Sequence, residues 1–137
     1  MPEPEVKLAV LCDDVRYEVA GKVSLMGIFD QFQVTDFTQP LPPFRFFMKI
    51  AFQDEGQYPI ALNIRSGEGD FKVGIQGLVH AKTQDEISRQ YVAIINFGFN
   101  NLKIPRPGMY YVELNYQDRT ICSLPFRAIT VRPPTLQ

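Results

Sequence analysis

The chain has 137 residues, 45% hydrophobic and 21% charged, and its 14 basic and 15 acidic side chains leave a net charge of -1. A chain of that length and composition forms one domain with a core large enough to need no disulfide or metal, and disorder is excluded as a description of the whole. With no surplus of positive charge there is little to release counterions from a phosphate backbone, so nucleic acid is not an expected partner.

One β domain is expected over residues 1–137, with flexible or extended tails at 1–5 and 133–137. The opening Met-Pro-Glu-Pro-Glu lacks the basic and apolar regions of a signal peptide. The longest apolar runs, such as Val92 to Ile95, are too short to cross a bilayer. No membrane partner is therefore expected, and the location expected is cytoplasmic.

In chain order, Val6, Leu8, Val10 and Cys12 alternate with Lys7, Ala9 and Leu11 as in a strand. Asp13 to Glu18 is a candidate for a short helical turn. Val23 to Phe29 is apolar on both faces, which predicts an interior strand. The clearest alternation is Phe44 to Phe52: Phe44, Phe46, Met48, Ile50 and Phe52 share one face, and Arg45, Lys49 and Ala51 the other. Gln53 to Gly56 carries hairpin chemistry, as does Ser66 to Asp70. Between and after them Ile60, Leu62 and Ile64, then Phe71, Val73 and Ile75, alternate with polar or small residues. Lys82 to Ile87 is a second candidate helical turn. Tyr91, Ala93, Ile95, Phe97 and Phe99 form the longest alternating set. Tyr110, Val112, Leu114 and Tyr116 follow a Pro-Gly break, and a tight turn at Tyr116 to Arg119 leads to a last strand through Ile121 and Phe126 to Val131.

These elements amount to about eight strands at the spacing of an all-β, antiparallel two-sheet β-sandwich, immunoglobulin-like in the broad sense. The predicted core comprises Val10, Leu25, Phe46, Met48, Ile50, Leu62, Val73, Ile95, Phe97, Tyr110, Val112 and Leu114.

The usual signatures of enzymes are absent: no phosphate-binding Gly-rich loop, no Cys-x-x-Cys, no His-Glu-x-x-His, no nucleophile elbow. His80 is the single histidine and reads as a strand-end side chain. Cys12 and Cys122 read as small apolar side chains in the first and last strands, reduced in a chain without an export signal. Neither an enzyme nor a cofactor is expected. Acidic pairs stand at Asp13-Asp14, Asp54-Glu55 and Asp85-Glu86, with Glu68 and Asp70 close together. Calcium takes six to eight oxygens, so carboxylates gathered at one loop end are one candidate site. Asp13, Asp14 and Arg16 are the foremost polar candidate. They read either as a charged bracket between strands or as a small recognition site. Phe32, Val34, Phe37 and Leu41 are apolar within a Pro-broken connection. They read either as a cap on the core or as an exposed patch for a partner.

Leu11-Cys12-Asp13-Asp14-Val15-Arg16, followed by Gly21-Lys22-Val23-Ser24-Leu25-Met26-Gly27-Ile28-Phe29-Asp30, resembles a family of small uncharacterised bacterial β-sandwich proteins. Pro107-Gly108-Met109-Tyr110 and Leu124-Pro125-Phe126 extend the resemblance towards the C-terminus. The resemblance implies the fold and a bacterial origin, and supplies no activity or site residues. Two functions are expected from the residues. The first is a non-catalytic interaction or structural module, whose protein partner includes a second copy of the chain as a homodimer, since exposed sheet edges invite pairing. The alternative is small-ligand or calcium binding at a loop end, through Asp13, Asp14 and Arg16 with Asp85 or Glu86.

Overall fold

The computed structural model describes residues 3–132. Eleven strands follow in order: β1 (Glu5–Cys12), β2 (Asp14–Tyr17), β3 (Val23–Met26), β4 (Gln31–Val34), β5 (Phe44–Phe52), β6 (Gly56–Ser66), β7 (Lys72–Ala81), β8 (Thr83–Gln84), β9 (Tyr91–Phe99), β10 (Gly108–Tyr116) and β11 (Arg119–Thr130). The domain is all-β. The three strands that alternation does not reveal, β2, β4 and β8, have four residues or fewer, too few to display a period of two.

The strands form a four-stranded sheet in the order β1-β5-β9-β8, a five-stranded sheet in the order β4-β11-β10-β6-β7, and a β2-β3 ribbon. The pairings are antiparallel except for β4, which lies parallel to β11 from Gln31 opposite Arg127 to Val34 opposite Thr130. The strands number eleven where about eight are expected, β4 departs from the expected antiparallel pairing, and the β2-β3 ribbon stands apart from the two larger sheets. Gln53 to Gly56 is also no hairpin, because it carries the chain from β5 in one sheet to β6 in the other. The turn at Gln117-Asp118 is a hairpin, and both residues take the positive φ, 52° and 60°, that matches the twist of its strands. Both candidate helical turns are strand instead, in β2 and in β8 with the turn that follows it.

Residues of both sheets meet in one apolar core. β5 supplies Phe44, Phe46, Met48, Ile50 and Phe52, and β10 supplies Tyr110, Val112, Leu114 and Tyr116. At one end Phe32 packs edge-on against Phe29, Phe44 and Phe126, with ring centroids 4.6, 5.1 and 5.4 Å apart. At the other, Phe52 stacks on Tyr58 at 3.8 Å.

Three predicted core residues lie elsewhere, each for a physical reason. A bulge between Val6 and Leu8 reverses the phase of β1, so Leu11 enters the core and Val10 faces out beside Phe47. Leu25 belongs to the β2-β3 ribbon, which crosses the outer face of the four-stranded sheet. There the Tyr17 hydroxyl accepts from Asn96 Nδ2 at 3.2 Å, and Cys12 and Phe47 are buried away from the core. The segment Val23 to Phe29 is therefore no interior strand, and Met26 and Ile28 are exposed. Val73 does face the core side, on β7, but remains 41% exposed.

β7 is the outer strand of the five-stranded sheet. At Ala81 the chain leaves that sheet, and β8 joins the other one for two residues, Thr83 opposite Val92 and Gln84 opposite Tyr91. Among the described residues, no strand pairs with β9 on that side beyond Val92. The four-stranded sheet is thus one strand short where it would cover β7. Of the expected tail at 1–5, Glu5 pairs with Ala51, and residues 1–2 lie outside the described residues. The expected tail at 133–137 lies outside the described residues.

Candidate functional site

Between β7 and β9 the core is open to water. Val73 and Ile75 are 41% and 46% exposed on the core side of β7, and Leu78 is 67% exposed on its other face. Two clefts run along the gap. One of about 370 Å³ is lined by Ile60, Leu62, Ile75, Val79, Ile95 and Phe97 among others. The other, of about 240 Å³, continues past Val73 and Phe99 to Leu102. His80 is the one titratable side chain lining either of them. Between Lys72 and His80 the edge strand reads Val-Gly-Ile-Gln-Gly-Leu-Val, with no charge. An edge strand of this length ordinarily carries a charge, a proline or a cover that prevents pairing with another chain. Such a strand beside an apolar groove can add a further strand through its free backbone groups and take that strand's side chains into the groove.

The sequence-predicted sites fall elsewhere. Phe32, Val34 and Leu41 are core residues, at most 8% exposed, and Phe37 packs against them half-buried. The connection that carries them is pinned by Leu41 N–H donating to the Leu102 carbonyl at 2.8 Å, and by an Asp36 carboxylate that accepts from the Thr38 N–H and hydroxyl. These side chains cap one end of the core and offer no surface patch.

The polar corner is brought together only in part. Asp14 accepts from its neighbour's N–H, Val15, at 2.9 Å and from Arg16 Nε at 3.5 Å, and both partners of that ion pair are exposed. Asp13 serves through its backbone: its N–H donates to the carbonyls of Met26 and Gly27 at 2.9 and 3.2 Å, tying β1 to the ribbon. Its side chain lies across Gly27, whose φ of +67° and missing Cβ leave that space. Asp85 caps its own turn, accepting from Ser88 N–H at 2.9 Å, and the Ser88 side chain, then this N–H, lower its carboxyl pKa. Among the described residues, no three acidic, His or Cys side chains gather in a way that could hold a metal ion. Burial pushes both free thiols up, and at Cys12 the Asp13 and Asp14 carboxylates add to it.

Two further polar clusters escaped the sequence because their members lie far apart in it. On the outer face of the five-stranded sheet, Arg65 donates to both Glu113 oxygens, at 2.8 and 3.2 Å, with its guanidinium 4.6 Å from the Tyr111 ring centroid. Arg65 lowers the Glu113 pKa through these bonds. At one end of the fold, Arg106 reaches Asp70 at 2.6 Å and Glu68 at 3.0 Å, and Ser66 donates to Asp70 at 2.7 Å. Arg106 and then Ser66 bring the Asp70 carboxyl down to about 2. Each cluster is internally paired and joins neighbouring strands or loops.

No helix among the described residues is long and apolar enough to cross a membrane. A search of curated proteins finds no match. The profile of a family of unknown function, DUF6941, matches residues 7–129, nearly the whole of β1 to β11, and the chain belongs to that family.

Proposed function

We propose that this chain is a non-catalytic protein-interaction module whose working surface is the open side between β7 and β9. The observation that carries it is the uncharged seven-residue stretch Val73 to Val79 on the outer edge of β7, with Val73 and Ile75 exposed on its core side. Apolar side chains left in water at the mouth of a core are stabilised by any partner that covers them, by about 25 cal/mol for each Å² of apolar surface removed from water. The Arg65–Glu113 and Arg106–Asp70 clusters are paired internally, which supports binding through backbone and apolar contact at the β7 side.

The finer fold belongs to the same reading. The facing sheets form a two-sheet β-sandwich of broadly immunoglobulin-like type. In its support, the Tyr110 hydroxyl donates to the carbonyl of Arg106, four residues upstream, at 2.6 Å, the arrangement of a tyrosine corner. Two free thiols suit the reducing cytoplasm of a bacterium, the setting implied by the sequence resemblance.

Amide hydrogen exchange tests the proposal, on the purified chain over a hundredfold concentration range and again in native host extract. Added protection along Val73 to Leu78 or Ile94 to Phe99 in either condition is expected. Unchanged exchange there in both conditions overturns it.

A further inference from the structure

We infer that the partner at this edge is a second copy of the chain, with β7 paired antiparallel to its counterpart about a two-fold axis through Gln76. The inference rests on the reading of the open side as an interaction surface.

A two-fold axis perpendicular to a sheet sets one residue of the strand opposite itself and pairs the others symmetrically around it. Centred on Gln76, the pairing sets Ile75 opposite Gly77 of the other copy, Leu78 opposite Gly74, and Val73 opposite Val79. Each of the two largest side chains of the segment thus meets a glycine, one pair on each face, and the open one is Ile75 with Gly77, because the Asn63 side chain already fills the place of a Cβ on Gly74. No heavy atom lies within 4 Å of where a Cβ on Gly77 would stand, so the space that Ile75 of the other copy needs is free. Centring on Ile75 instead sets the two Ile75 side chains against each other, and centring on Gly77 sets Ile75 against Val79. The chain's own charges raise no barrier, since none lies between Lys72 and His80. The surface area agrees. The chain exposes 8836 Å², where a monomer of its 15.7 kDa is expected to expose roughly 7,300 Å². Val73, Ile75 and Leu78 are among the exposed apolar side chains that make up this surplus.

The register is what the experiment reads. Opposed side chains in a sheet have Cβ atoms about 4.5–5.5 Å apart, near disulfide reach. Under mild oxidation Gln76→Cys is expected to form a covalent dimer. Leu78→Cys, roughly 13 Å from its mate in this register, is expected not to. The parent chain is the control, with Cys12 buried and Cys122 half-buried. Gly77→Val fills the space opposite Ile75 and is expected to weaken association at least tenfold, measured by sedimentation, while the monomer stays folded by circular dichroism. The double change Ile75→Gly with Gly77→Ile restores one large and one absent side chain at each pair and is expected to recover most of that loss. A monomeric parent chain, equal cross-linking at positions 76 and 78, or association indifferent to Gly77→Val overturns the inference. If the parent is monomeric yet its β7 amides gain protection in host extract, the interaction reading stands and only the second copy is lost. If neither β7 nor Ile94 to Phe99 gains any, both fail.

Discussion

Replacing Tyr110 by Phe removes one oxygen from the buried centre of the fold and leaves the ring. Tyr110 is 1% exposed, stacked on Phe126 with centroids 5.4 Å apart and edge-on to Phe71 at 6.1 Å. Phe keeps these contacts. What is lost is the hydroxyl's bond to the Arg106 carbonyl at 2.6 Å, together with the weaker bond it accepts from Arg106 N–H at 3.4 Å. One such bond is worth about 1 kcal/mol net, and a carbonyl left short of a partner raises the cost, so a loss of about 1–2 kcal/mol is expected. Unfolding entropy of about 2.1 cal/mol/K per residue turns this into a fall in Tm of roughly 3–7 °C. Urea unfolding and calorimetry measure it, with an unchanged urea slope showing that only stability has moved. Tyr110→Ala, which also empties the ring's site, is expected to cost about 3–5 kcal/mol by analogy with other large aromatics. A Phe variant as stable as the parent would refute the reasoning, and so would one as damaged as the Ala variant.

Three other outcomes follow from the polar clusters. Glu113→Ala is expected to lower stability by about 1–2 kcal/mol in urea, because the bonds from Arg65 are charge-assisted and Glu113 is largely shielded from water. The Asp70 carboxyl is lower in the folded chain than its ordinary 3.8, so its contribution is present above about pH 4 and lost as pH falls towards about 2. Stability profiles of the parent and Asp70→Asn should therefore converge across that window, and a constant gap through it would contradict the Arg106 clamp. Millimolar calcium is expected to leave the melting temperature unchanged, since Asp14 is already engaged by Arg16 and the Val15 N–H. A calcium-dependent rise abolished by Asp14→Asn would return the loop-end ligand reading to first place.

Long strands were legible in the sequence because their alternation is strict. All five core-side residues of β5 are buried, and so are the four of β10 from Tyr110 to Tyr116. The bulge in β1 was not legible, since one unpaired residue shifts the phase without changing composition. Nor was the ribbon: Val23 to Phe29 is apolar enough for an interior strand, and only its fold-back across an outer face reveals why. Phe32 and Leu41 looked ambiguous because a broken connection and an end cap share the same residues. The open side was hidden for a different reason. Val73 and Ile75 carry the alternation of a buried strand, and their exposure arises from the shortness of β8, eight to eleven residues further on. Arg65 with Glu113, and Arg106 with Asp70, join residues separated by 48 and 36 positions, a distance local patterns do not span.

Light scattering during size-exclusion chromatography, on the parent chain and on Ile75→Lys, tests most directly the claim that the open β7 side is where a second copy of this chain binds. Ile75 is 46% exposed, so the lysine stem can lie along the groove with its charge in water and the fold intact. The account predicts a parent mass of twice 15.7 kDa at micromolar concentration and 15.7 kDa for the variant, with matching melting temperatures. A mass of 15.7 kDa for both, or a dimer that the lysine leaves untouched, would contradict it.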